Sequence, residues 1–244
     1  RIDLHADIKK VKCIADTGYA TRRGDESNID IITLDTVKKV KRFVDWVLTE
    51  DFDPNEFVAF DFETANLLLN KDHNRILNVG FSFRNAEDTA YVIPYQHPET
   101  PFSVEELAEV RSHLKRLFQS VGAKFYGWLA HHAQFETQMI RLFFGIWLGE
   151  KGDKPVLDTE TFAYLLDEDR KEFLKNQGPY KLENLASEFL GFHWYADTKM
   201  KQRRTKLDEE RIEIVNLYVG YDAAVTARLF NTLLFKAKRE GSLD

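Results

Sequence analysis

The segment Phe57-Val58-Ala59-Phe60-Asp61-Phe62-Glu63-Thr64 constrains this chain most: it is an apolar run that ends in two acids spaced two apart. A β-strand places residues i and i+2 on one face. Asp61 and Glu63 then point one way, and Phe60 and Phe62 point the other way, into a core. Two carboxylates held side by side repel by roughly 4 kcal/mol at about 4 Å, even at an effective dielectric of about 20. A cation between them removes that cost, and hard divalent cations prefer carboxylate oxygens. The segment therefore reads as half of a metal site. The alternative is a strand end whose acids are simply solvated.

A chain of 244 residues, 43% hydrophobic, suffices for one large globular domain or a domain with an appendage. Nineteen Phe and nine Tyr imply a strongly aromatic core. The single cysteine, Cys13, excludes an internal disulfide and fits an intracellular protein, in a cytoplasm or a host cytoplasm. The richest apolar stretch, 140–148, is short and carries Arg141, so no membrane association is expected. No signal-peptide pattern is present. A net charge of −6 argues against a broad duplex-binding surface but leaves room for a groove that takes a single strand.

Residues 1–30, mixed and polar with Gly18 and Gly24, read as an N-terminal arm. From 31 to 244 the pattern is α/β. A strand at 31–34 precedes a helix at 35–48, where Val37, Val40, Phe43, Val44 and Val47 recur at helical spacing. Strands at 57–63, 75–83 and 88–94, separated by turn-like residues at 70–72 and 85–88, form an antiparallel meander. Ser103-Val104-Glu105-Glu106 is a capping box that opens a helix to about 119. A strand at 123–129, a helix at 133–144, a strand at 156–158 and helices at 159–166, 181–190 and 208–238 follow, the last with a break. The expected fold is a mixed sheet flanked by helices.

Other acids extend the metal reading. Tyr218 and Asp222 are four apart in the last helix and share one face. A carboxylate with a hydroxyl one turn away suits holding a metal and orienting a water; an ordinary surface pair is the alternative. In Trp128 to Glu136 the chain passes from strand to helix, and His132 and Glu136 are again four apart. Glu136 would be a fourth carboxylate, or a first-turn acid favoured by the helix dipole. His131 and His132 are poor zinc ligands, because adjacent side chains diverge and no Cys lies near. The stretch 199–206, with Lys201, Arg203 and Arg204, is the strongest basic cluster, read as a solvated loop or a phosphate contact.

Together these segments resemble the 3′–5′ exonucleases of the DEDD superfamily, Tyr-containing subgroup, above all the proofreading domain of family A DNA polymerases of the bacterial polymerase I and phage type. Asp61-Phe62-Glu63-Thr64 is similar to the first exonuclease motif, Ala130 to Glu136 to the second, and Tyr218 to Asp222 to the third. Flanking text agrees: Tyr91-Val92-Ile93-Pro94 with His97, Asp158-Thr159 with Tyr164-Leu165-Leu166, and Leu182-Glu183-Asn184-Leu185-Ala186 with Leu190-Gly191. The second motif departs from the family pattern, with His132 where Asn is usual and Glu136 where Asp is usual.

The resemblance implies a ribonuclease-H-like fold over 31–244 and hydrolysis of single-stranded DNA from its 3′ end with two divalent cations, Mg²⁺ or Mn²⁺. Asp61 would bridge both ions, Glu63 and Asp222 would complete the first site, and Glu136 would hold the second. Tyr218 would orient the attacking water. Thr64, Asn66 and Leu67 are candidates for the terminal nucleotide, and His132, Lys201, Arg203 and Arg204 for the strand behind it. A polymerase domain, in the same chain or complex, is the implied partner. Two rival expectations stand beside this one. A ribonuclease D-like enzyme trimming RNA shares the same acids, which do not see a 2′-hydroxyl. An inactive exonuclease fold serving as a nucleic-acid-binding or scaffold module would draw on the altered second motif.

Overall fold

The computed structural model describes residues 29–66, 74–149, 154–170, 178–192 and 206–242. Most of the expected arm, the turn at 70–72, Leu67, and Lys201, Arg203 and Arg204 fall outside them. The strands are β1 (Asp30–Thr33), β2 (Phe57–Thr64), β3 (Ile76–Phe83), β4 (Ala86–Ile93), β5 (Gly127–Ala130) and β6 (Val156–Asp158). The helices are α1 (Val37–Thr49), α2 (Val104–Gln119), α3 (Ala133–Phe144), α4 (Thr159–Leu166), α5 (Leu182–Leu185) and α6 (Ile212–Arg239).

The strands form one sheet in the order β1-β4-β3-β2-β5-β6. The β2-β3 and β3-β4 pairs are antiparallel, and the β1-β4, β2-β5 and β5-β6 pairs are parallel. This is the expected meander inside a mixed sheet, with the ribonuclease-H-like α/β architecture around it. One face packs on α1, α2 and α3 through a core that includes Phe60, Phe62, Phe81, Phe118 and Trp128. The other face takes α4, α5 and α6 over smaller clusters.

Local signals behave as the residues dictate. Ser103 and Glu106 form the full capping box of α2. Val40, Phe43, Val44 and Val47 are the buried stripe of α1, which Thr36 caps through its side chain. Three expectations are corrected. The strand expected at 123–129 is confined to Gly127–Ala130, because Ser120 (φ 51°) and Gly122 (φ 78°) are still turning the chain. The turn expected at 85–88 is shorter, with β4 starting at Ala86. There Glu87 is already tied to α6, through Arg228 to its carbonyl and Asn231 to its carboxylate. The helix expected at 181–190 is α-helical only to Leu185 and continues as a π-helix over Ala186–Leu190.

The last helix breaks as expected. A 3₁₀ turn at Leu207–Glu209 precedes α6, and Arg211 at the junction is extended (φ −68°, ψ 138°). Arg211 provides no side-chain cap. The carboxylate of Glu99, in the loop after β4, instead accepts the Ile212 N–H at 2.7 Å. Buried His97 works beside it. Its Nδ1 accepts from the Glu99 N–H at 3.1 Å, so Nε2 carries the proton and donates to the Leu207 carbonyl at 3.3 Å. The loop after β4 thus grips the start of the helix that carries Tyr218 and Asp222.

Candidate metal centre

The alternation of β2 does what the opening segment predicts. Phe60 and Phe62 are buried in the main core, while Asp61 and Glu63 lie on the opposite face, the one that α6 covers. Asp222, from α6, comes to the same place. Asp61, Glu63 and Asp222 each offer a carboxylate oxygen, and these three oxygens lie within 4.8 Å of one another. Tyr218 stands one turn before Asp222 and is buried, in the apolar cluster that also includes Leu182 and Leu185 of α5.

Two devices hold α6 against the acid strand. Gly80, the strand partner of Asp61, lets the α6 backbone approach β3 closely at Val219. Asn78, the strand partner of Glu63, donates its Nδ2–H to Asn216 Oδ1 of α6 at 2.6 Å. Neither residue was singled out from sequence. A lone glycine inside a strand pattern is the signal that could have found Gly80.

Glu136 enters from the first turn of α3. It stands outside the close triad but is 4% exposed, and its Oε2 has no hydrogen-bond partner. Burial, then the charges of Asp61, Glu63 and Asp222, push its carboxyl well above the usual range, opposed only in part by a backbone hydrogen bond from Phe62. A buried acid with an orphaned oxygen, facing three other carboxylates, is a costly arrangement without positive charge. The donor set is all carboxylate, which fits hard divalent cations.

The residues around the second motif are zipped to the β6–α4 junction. Asp158 Oδ1 accepts from the backbone N–H groups of His132 at 3.1 Å and Glu160 at 2.9 Å, and Oδ2 accepts from Ala133 at 3.0 Å. One side chain thereby caps both α3 and α4. His132 adopts a left-handed backbone (φ 63°), and its Nδ1 meets Glu160 Oε2 at 2.8 Å. His131 Nδ1 meets Thr159 Oγ1 at 2.9 Å, and burial lowers the His131 pKa. The two histidines are thus engaged apart from the acid triad. Thr64 is buried, and its hydroxyl donates to the Asn66 carbonyl at 2.8 Å.

The sequence profile of a 3′–5′ exonuclease family, DNA_pol_A_exo1, matches residues 34–237, a span that contains every one of these acids. The chain belongs to this family. It is a 3′–5′ exonuclease domain of DEDD type, and that fold implies divalent metal ions. Among curated proteins none matches the chain in sequence. Similar solved structures include Trypanosoma brucei RNase D in complex with RNA, with 14% identity and a TM-score of 0.56 over 91% of this chain and 66% of that one. The catalytic core of RRP6 from the same organism is 16% identical, with a TM-score of 0.50 over 92% of this chain and 55% of that one. The exonuclease domain therefore spans just under two thirds of the RNase D chain and about half of the RRP6 core. At these identities the likeness is one of fold. No helix among the described residues is long and apolar enough to cross a membrane.

Proposed function

We propose that this domain removes nucleotides from the 3′ end of single-stranded DNA, as the proofreading part of a DNA polymerase. The observation that carries the reading is the convergence of Asp61 and Glu63 from β2 with Asp222 from α6, faced by the buried Glu136. Asp61, Glu63 and Asp222 would hold one Mg²⁺ or Mn²⁺ ion, and Asp61 with Glu136 a second. Bound divalent cations supply the Lewis acidity of phosphodiester hydrolysis. Tyr218, fixed one turn from Asp222, orients the attacking water with its hydroxyl. It does not take the proton, since an unassisted phenol with a pKa of about 10 is a poor base.

Thr64, Asn66 and Leu67, at and just after the first motif, receive the terminal nucleotide. With Thr64 buried and its hydroxyl spent on Asn66, Thr64 shapes that turn while Asn66 meets the ligand. His132, held by Glu160 at the start of α3, meets the strand further back, and Lys201, Arg203 and Arg204 neutralise its phosphates.

Asp61→Ala and Asp222→Ala are each expected to abolish release of mononucleotides from a 3′-labelled single strand in Mg²⁺ or Mn²⁺, with the circular dichroism spectrum retained. Retained activity in both variants sinks the assignment. The fold likeness to an RNA-bound RNase D supports a second reading, in which the strand is RNA. Matched DNA and RNA oligonucleotides decide between the two by their kcat/KM ratio.

A further inference from the structure

We propose that Asn78 is a positioning residue of the metal centre: its buried amide oxygen, beside Glu63, accepts a hydrogen bond from a water carried by the bound divalent cation. The inference rests on the reading above, in which Asp61, Glu63 and Asp222 hold such a cation.

Strand register sets the place. β2 and β3 pair residue for residue from Val58 to Glu63, with Asp61 opposite Gly80 and Glu63 opposite Asn78. Directly opposed residues project to the same face, with Cβ atoms about 4.5–5.5 Å apart. That face is the one α6 covers: a Cβ on Gly80 would meet Val219, and Asn78 Nδ2 donates to Asn216 Oδ1 at 2.6 Å. The alternate residues Val79 and Phe81 go to the main core. Asn78 therefore shares the face of the acids and stands next to Glu63.

The amide is only half used. Asn78 is fully buried, and its Oδ1 has no hydrogen-bond partner among the described residues. An amide oxygen accepts up to two hydrogen bonds and donates none. Left buried without a donor it is costly, and the Glu63 carboxylate beside it adds only negative charge. Glu136 Oε2, which feels the same acids, is in the same condition. A water on a divalent cation suits such an oxygen. It binds the ion through its own oxygen and turns both hydrogens outward, so it can only donate. Mg²⁺ in particular keeps several waters when carboxylates hold it. The bond to Asn216 fixes the plane of the amide, so the free oxygen is held in one place. Groups that orient the ligands of a metal act in this way.

The test is calorimetric titration with Mn²⁺, paired with urea midpoints in chelator, on Asn78→Leu, Asn78→Asp and Asn216→Ala. Asn78→Leu keeps the bulk and loses the oxygen. Its Mn²⁺ dissociation constant is expected to rise about tenfold. Its midpoint in chelator should hold or rise, because the orphaned oxygen is gone. Asn78→Asp keeps an acceptor and adds a charge beside Glu63, so it should bind Mn²⁺ at least as tightly as the parent and lose midpoint in chelator. Asn216→Ala cuts the tie to α6 but leaves the oxygen, and should stay within about threefold of the parent affinity. A side chain that only packed would not move the two Asn78 variants in opposite directions. A parental dissociation constant in Asn78→Leu overturns the inference. So does Asn78→Asp or Asn216→Ala binding as weakly as Asn78→Leu, since the effect would then belong to the donor or to the tie. If Asn78→Leu does not fold, Asn78→Ala takes its place with the same expected affinity. A parent domain that binds no Mn²⁺ sinks the underlying reading and this inference with it. A parent that binds, with binding lost in Asp61→Ala and unchanged in Asn78→Leu, sinks this inference alone.

Discussion

A Cβ placed on Gly80 would stand 2.4 Å from the carbonyl oxygen of Val219. Gly80 is the strand partner of Asp61, and Val219 follows Tyr218 on α6. The absence of a side chain at one strand position thus sets how near the helix acid comes to the strand acids. The obstructing atom is backbone, so Gly80→Ala forces α6 to move. Overpacking of this kind costs about 1–3 kcal/mol, to be read from the urea midpoint. Because Asp222 rides on α6 while Asp61 and Glu63 ride on β2, calorimetric titration should also show weaker Mn²⁺ binding. Parental affinity in a destabilised Gly80→Ala would separate the helix contact from the metal site.

Glu136 links stability to both pH and cations. Its carboxyl is pushed above the ordinary range in the folded state, first by burial and then by Asp61, Glu63 and Asp222. The native state therefore holds a proton that the unfolded chain has already released. In the absence of divalent cations, stability falls as pH rises from the unfolded carboxyl range toward the raised value. Glu136→Gln should flatten that fall, measured as urea midpoints in chelator. For the parent domain, Mg²⁺ at a hundredfold excess over its dissociation constant adds about 2.7 kcal/mol, and chelator removes it. Glu136→Gln should show a smaller gain; an equal gain would place Glu136 outside the metal's reach.

Glu56 gives the control for that experiment. It lies immediately before the same strand, at the end away from the acids, and burial raises its pKa. Its Oε1 accepts from the Phe57 N–H at 3.1 Å and the Asn85 N–H at 3.2 Å, and a glutamine can accept both. The sign is the same as for Glu136: stability is present below the unfolded pKa and declines as pH climbs toward the folded one. Glu56→Gln should raise the urea midpoint at neutral pH equally with and without Mg²⁺. A cation-dependent gain would mean the two ends of β2 are coupled.

What the residues foretold and what they hid divide along a physical line. Asp61 and Glu63 were legible because strand alternation is a local rule, and the facing of Tyr218 and Asp222 because helical periodicity is another. The break before α6 was legible too, although its cap, Glu99, comes from a loop more than a hundred residues away. Glu136 was legible as an acid in a first turn, but its depth was not, since burial is set by the sheet it packs on. The apolar pair Phe125-Tyr126 read as strand from its side chains alone, but the left-handed turn at Ser120 and Gly122 sets the chain direction there and the strand begins only at Gly127. Gly80 carried a faint local signal, a glycine inside a strand pattern, but what it meets, the Val219 backbone, lies far away in the chain.

Asp158 shows how a residue marked only by resemblance acquires a physical role. Its two carboxylate oxygens receive three backbone N–H groups, from His132, Ala133 and Glu160. Two helices therefore begin on one side chain, and one of them carries Glu136. A lost N-cap costs about 0.5–2 kcal/mol. Asp158→Ala removes two at once and should lower stability by about 1–4 kcal/mol, measured by chemical denaturation. Asp158→Asn keeps one acceptor oxygen, so it should fall between the parent and the Ala variant. His132 sharpens the test, since its left-handed backbone is disfavoured for any side chain but glycine and is held here by Asp158 and Glu160. In Asp158→Ala that restraint weakens, the first turn of α3 loosens, and the Mn²⁺ concentration needed for half-maximal activity should rise. A destabilised Asp158→Ala with an unchanged Mn²⁺ requirement would show that the double cap holds the fold without setting the place of Glu136.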